Sequence, residues 1–309
     1  MVAESNVSNS IAIQADFSES VMSDSLLQGT ALQNCDFSNA DLRRVDLTGA
    51  NLKFASLKGA NLNDAVLTDT TARSTQFQNA ALENSILTRT DFREANLTHS
   101  DLYQAQFSNP RINSETDFGD ICSYEKEKKS PVLAEETSPL MAATWVYRRL
   151  EDLHEDNALA DQVRDYHISK QEAQRRLDRQ NGNYGRYTVA TLNRLLTNHG
   201  ESLRHLLYAW TVTIIGAGIL YPFVGGISDN GTIYRFHINF EWPVVTDLAE
   251  GVEVLLRNLY FSVITFTTIG YANVAPNGFG SRVLVGAESL VGAILVALFV
   301  YVLGRRVAR

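Results

Sequence analysis

The sequence predicts a multidomain chain: a four-sided β-solenoid at the N-terminus, a helical linker region, and an all-α membrane domain at the C-terminus. Three observations lead there. Large apolar residues keep a five-residue register through the first third, a charged stretch at helical spacing follows, and two span-length apolar runs bracket a shorter one near the C-terminus. A length of 309 residues accommodates two to three domains, and a formal net charge of −8 is too modest to imply a nucleic-acid partner.

The register runs from Phe17 through Met22, Leu27, Leu32, Phe37, Leu42, Leu47, Leu52, Leu57 and Leu62 to Leu67, then from Phe77 to Ile112, with Ala72 as the small residue in the series. Two positions before most centres stands another small residue, such as Cys35, Ala40, Ala50, Ala55 or Ala60, and Asp or Asn often lies between, as at Asp36, Asp46 and Asn51. Neither the helical period of 3.6 nor the strand period of 2 produces this spacing. A square coil does, if each pentapeptide forms one side and turns its large and small apolar residues inward. Ala72 should leave a void or bulge, and Pro110 should lie near the end of the stack.

This register resembles the pentapeptide-repeat family, which implies a right-handed quadrilateral β-helix over residues 11–118. Members of the quinolone-resistance group resemble duplex DNA and bind gyrase. Here 14 acidic residues stand against 8 basic ones over residues 11–118, with Arg43, Arg44, Lys53 and Lys58 breaking any phosphate-like ladder, so no nucleic-acid mimicry is expected. The expected role is a cytoplasmic regulatory or scaffold module with an unidentified protein partner. Cys35 and Cys122 suggest no disulfide framework.

Residues 119–140, with the run Glu125-Lys126-Glu127-Lys128-Lys129 and two prolines, read as a linker able to decouple the solenoid from the C-terminal helices. Residues 141–202 read as cytoplasmic and interfacial helices: Trp145, Arg148, Leu150 and Leu153 are helically spaced, and Leu192, Leu195 and Leu196 mark one face of a helix approaching the membrane.

The membrane domain is expected over 203–309. Residues 206–228 carry no charge and 283–304 only Glu288, each long enough to cross about 30 Å of hydrocarbon. Between them, residues 255–266 are apolar and aromatic-rich but too short to span, which suits a re-entrant helix whose negative dipole end would favour a cation. Directly after it comes Thr267-Thr268-Ile269-Gly270-Tyr271-Ala272-Asn273. Stacked peptide carbonyls with a threonine hydroxyl can replace the water shell of a cation.

Span, re-entrant helix, this string and second span together resemble the two-transmembrane pore module of the potassium-channel superfamily. The resemblance implies a selectivity filter over 267–273, potassium coordinated by Thr268, Ile269, Gly270 and Tyr271, a homotetramer in a lipid bilayer, and permeant potassium ions with no other cofactor. Ala272 stands where the family has its second glycine. Gly286, Glu288 and Gly292 are inner-helix candidates for gating or packing: Gly292 matches the family's hinge-glycine spacing, and a carboxylate within a span is a functional candidate by default. Arg194 and Arg204 before the first span, with Arg305, Arg306 and Arg309 after the second, place both termini in the cytoplasm of a two-span cell-membrane protein. Asp229, Glu241, Asp247, Glu250 and Glu253 outnumber Arg235, Arg257 and Arg282 at the outer mouth. No nucleophile–base pair or phosphate loop appears, so no enzyme activity is expected. The alternatives are a poorly selective cation channel and a membrane-tethered protein-binding scaffold with a degenerate pore.

Overall fold

The chain bends at every fifth position, and about half of these positions hold Asn, Asp or Gly. In the computed structural model, which describes residues 4–126, 137–236, 248–270 and 273–308, every fifth residue from Glu4 to Asn109 adopts a left-handed backbone with φ between +50° and +69°. Asn, Asp and Gly fill many of these corners, such as Asn34, Asp64 and Gly49, because they tolerate that region best. Each corner returns the chain by one side. Parallel bridges then pair residues twenty apart, from Asn6↔Leu26 to Asp91↔Arg111, so four sides make one coil of a β-helix.

The backbone ladder closes within this geometry: Leu52 N donates to Thr71 O at 2.8 Å, and Asn51 N donates to Thr30 O at 2.9 Å. Leucines and alanines of the five-residue register form the core, and most are less than 2% exposed. Threonines at the small inward position hold the coils together, with Thr70, Thr75 and Thr90 donating through Oγ1 to Leu47, Leu52 and Leu67 carbonyls at 2.7–2.8 Å.

Two expectations change, and one holds. Pairing starts at Asn6, before residue 11. The bulge expected at Ala72 is absent: its amide donates to Asp91 O at 2.9 Å and the bridges run on without a break, with Phe92 next in its column packing edge-on against Phe77 at 5.8 Å. Pro110 lies near the end of the stack as expected, and after it a one-residue insertion makes the last bridge Asn96↔Asp117. Thr116 restores the pattern by donating to Phe92 O at 3.0 Å, and Phe118 becomes a buried centre beyond Ile112.

The segment expected to be a linker is partly packed against the solenoid. Cys122 and Tyr124 are buried in the solenoid core, and burial pushes the Cys122 thiol up to about 12, which keeps it protonated. The Tyr124 hydroxyl donates to Glu83 Oε1 at 2.8 Å. Helix α1 (Pro139–Asp156), capped by Ser138, adds Ala142, Ala143, Val146 and Tyr147 to the same core. It pairs with α2 (Ala160–Gln180) as a helical hairpin. The solenoid therefore ends under a helical cap, as a coil stack requires.

Glu151 on α1 links the hairpin. Burial alone would raise its carboxyl, but His167 at 2.8 Å and Lys170 outweigh that and hold it down to about 2. A folded-state value below the ordinary 4.5 means that the stabilisation is complete above that pH and is lost as pH falls from about 4.5 to about 2. Thermal melts of the 1–190 fragment should show the midpoint falling across that window. Glu151→Gln should flatten the dependence.

The chain divides into two compact units, Met1–Ala190 and Thr191–Arg309. The boundary falls within α3 (Tyr184–Thr197), whose Leu192 and Leu195 are exposed. The second unit comprises α4 (Leu203–Val224), a three-stranded antiparallel sheet of β1 (Ile227–Asp229), β2 (Thr232–Tyr234) and β3 (Val274–Pro276) in the order β2-β1-β3, α5 (Leu248–Phe266) and α6 (Gly278–Ala308). The first uncharged run continues in sequence to residue 228. Its helix ends at Val224 because Gly225 and Gly226 take positive φ, and residues 227–229 become strand. Helix α5 begins seven residues earlier than its apolar stretch, with Glu250 in its first turn, where the helix dipole favours an acid.

Candidate functional site

Two helices are long and apolar enough to cross a bilayer: Leu203–Val224, with mean hydropathy 1.6, and Gly278–Gly304, with 2.4. Only 22% and 17% of their most apolar windows are buried within the chain, so most of that apolar surface is not covered by the chain itself. Helix α5 packs against both. Its approach is close at two glycines, Gly218 on α4 and Gly292 on α6. A Cβ on Gly218 would lie 2.9 Å from Leu259 Cα, and one on Gly292 2.8 Å from Phe266 O.

Rings and apolar side chains secure the C-terminal half of α5. Tyr221 meets Phe261 at 5.1 Å, while Trp210 contacts Phe266 at 5.6 Å and Phe299 at 5.3 Å beside Leu206 and Leu295. Between these clusters, Glu288 is 3% exposed. Tyr221 donates to its Oε2 at 2.5 Å, and Ser262 Oγ touches its Oε1.

Helix α5 ends on the threonines of the filter-like string. The amide of Thr268 donates to Thr265 O at 3.1 Å and that of Ile269 to Ile264 O at 3.1 Å, with Thr268 at φ +57°. This paired capping pattern normally uses glycine at the left-handed position. A β-branched residue there is strained by about 1–2 kcal/mol. Because the described peptides include no cis bonds, the Thr267 and Thr268 carbonyls point opposite those two amides, away from α5. Thr267 Oγ1 donates back to Val263 O at 2.7 Å, leaving its lone pairs free.

Of the remaining string residues, Ile269 and Gly270 are exposed, Gly270 at φ +57°. Tyr271 and Ala272 lie outside the described residues. Asn273 O accepts from Asn230 N at 3.2 Å, fixing the exit of the string to the β1–β2 turn. Beside it a cavity of about 720 Å³ is lined by Asp229, Glu253, Leu256, Arg257, Tyr260 and Asn273. Arg257 pairs with Asp229 at 2.7 Å, so one of the carboxylates expected at an outer mouth is matched by a cation; Glu241 and Asp247 lie outside the described residues.

Two family models match the chain: "Ion channel" over residues 210–309, and "Pentapeptide repeats (8 copies)" over 3–39, 25–64 and 75–109. The protein joins pentapeptide repeats to an ion-channel domain. No curated protein matches it. Among solved structures, it is similar to the plasmid-mediated fluoroquinolone resistance protein QnrB1 (16% identity, TM-score 0.24, covering 35% of this chain and 63% of that one). It is also similar to HetL, involved in heterocyst differentiation regulation, from the cyanobacterium Nostoc (27%, 0.20, 36% and 51%), and to Rfr23 from the cyanobacterium Cyanothece (28%, 0.18, 34% and 64%). The chain thus spans between half and two thirds of the length of these proteins.

Within the ion-channel domain, the three inner-helix candidates separate. Gly292 is buried against α5, Glu288 sits in the helix junction, and Gly286 is exposed, with nothing within 4 Å of the place a Cβ would occupy. Gly292→Ala should therefore push α6 from α5 and destabilise the domain by about 1–3 kcal/mol. Gly286→Ala should leave the melting temperature of the detergent-solubilised protein unchanged. Equal melts for the two would contradict the close packing. The sequence reading missed Tyr221, Ser262 and Gly218; a tyrosine and a serine inside apolar helices were the available signal.

Proposed function

We propose that the chain forms a homotetrameric, potassium-selective channel whose pentapeptide repeats act as a cytoplasmic regulatory or scaffold domain. One observation carries this reading: α5, held between two span-length helices, ends on Thr267 and Thr268 with their carbonyls directed away from it. The negative end of the helix dipole favours a cation at that point. One such loop cannot surround an ion; four copies about an axis supply a ring of carbonyls. In the tetramer, Thr268, Ile269, Gly270 and Tyr271 hold dehydrated potassium ions. The arginines flanking the spans set both termini in the cytoplasm.

Ala272, in place of a glycine, favours a second reading, a cation channel that discriminates weakly between potassium and sodium. Light scattering of the detergent-solubilised protein tests the assembly. The proposal expects the mass of four chains, and a monomer would refute it. Potassium flux into protein-containing liposomes tests conduction, and absence of flux from correctly assembled protein would favour the scaffold alternative.

A further inference from the structure

The junction of α4, α5 and α6 holds four oxygens in a row: Tyr221 Oη, the two carboxyl oxygens of Glu288, and Ser262 Oγ, which continues to Ile214 O at 2.8 Å. Tyr221 and Ser262 are fully buried, and among the described residues no Lys or Arg pairs with Glu288. Each hydroxyl owns one proton. Tyr221 gives its proton to Glu288 Oε2. The Ile214 carbonyl can only accept, so Ser262 gives its proton there. The remaining contact, between Ser262 Oγ and Glu288 Oε1, needs a proton from the carboxyl group.

We infer that Glu288 is a carboxylic acid that accepts from Tyr221 and donates to Ser262, and that this chain of hydrogen bonds is the positioning element that sets α5 beneath the filter. An unpaired carboxylate among apolar helices would be far more costly than a group that both accepts and donates. Leu259, Ser262 and Phe266 are spaced by three and four, so they share one face of α5. On that face Leu259 meets Gly218, Phe266 meets Gly292, and the Ser262 tie lies between them. Neither rotation nor sliding of α5 can occur without breaking the chain, and α5 leads straight into Thr267. The positioning role rests on the reading of residues 267–273 as the filter; the donor role does not.

The test uses the full-length protein in liposomes. Glu288→Gln should keep the wild-type potassium/sodium permeability ratio, because its carbonyl accepts from Tyr221 and its amide donates to Ser262. Glu288→Leu and Ser262→Ala each break two links of the chain and should each lower the ratio by at least about tenfold, the equivalent of a lost buried hydrogen bond. Their double variant should lose less than the two single losses combined, since both remove the Ser262–Glu288 contact. A Gln variant as defective as Leu, or a Ser262→Ala channel with unchanged permeation, would overturn the positioning role. If Glu288→Leu does not assemble, Ser262→Ala and Tyr221→Phe, which delete single hydroxyls, decide the matter. Difference infrared spectroscopy of wild type against Glu288→Gln reads the donor directly, whether or not ions flow. The carbonyl stretch of a protonated acid is expected, and its absence would overturn the inference even in a conducting channel.

Discussion

Leu52→Asp should unfold the pentapeptide-repeat unit, with a loss of more than about 4 kcal/mol. Leu52 is 0% exposed, and its column neighbours are Leu32 and Ala72, also buried. The substitution removes a leucine's apolar burial and places a carboxylate where no donor can reach it. Asn51→Asp, one position earlier, should change stability by less than about 0.5 kcal/mol. Asn51 is half-buried, and its Oδ1 accepts from the Lys53 amide at 3.1 Å. Asp36 and Asp46 make the same contact at equivalent positions, accepting from Ser38 and Thr48 at 2.9 Å. Thermal unfolding of the 1–190 fragment distinguishes the two variants. Equal losses would contradict the inward assignment of the register.

Gly270→Ala should abolish conduction while leaving assembly intact. Gly270 sits at φ +57°, and an added Cβ would meet nothing within 4 Å in its own chain, so the local penalty is backbone strain of about 1 kcal/mol. That is too little to unfold the domain. In a four-fold ring it recurs in every subunit, about 4 kcal/mol in all, which lowers occupancy of the conducting arrangement by about three decades. Flux measured alongside light scattering separates the two effects. A tetramer conducting at the wild-type rate with unchanged selectivity would remove residues 267–273 from the pore.

The solenoid was legible in the sequence because its core is periodic. Each inward position repeats the same demand for one large and one small apolar residue, so Leu47 or Ala50 announces its place without knowledge of any other part of the fold. The corners were encoded only in part: Asn, Asp or Gly fills about half of them, while residues such as Arg44, Phe54 and Glu94 take the same left-handed backbone. Features that break periodicity were hidden: the single inserted residue before Asp117, and the docking of Cys122, Tyr124 and α1 onto the last coil. In the ion-channel domain, span length and the threonine–glycine string were visible. The partners of Glu288 were not, since Tyr221 and Ser262 lie 67 and 26 residues away and no local pattern links them. The apolar stretch of α5 understates the helix because its first two turns carry Glu250, Gly251 and Glu253, which an apolar criterion discards.

The claim on which the rest depends is that four copies of the Thr267–Asn273 string form a potassium-selective conduit. The most direct test is the reversal potential of full-length protein in bilayers with potassium on one side and sodium on the other. The account predicts a potential displaced toward the potassium equilibrium value and lost current in Gly270→Ala. A reversal potential at zero, with current unaffected by that substitution, would contradict it.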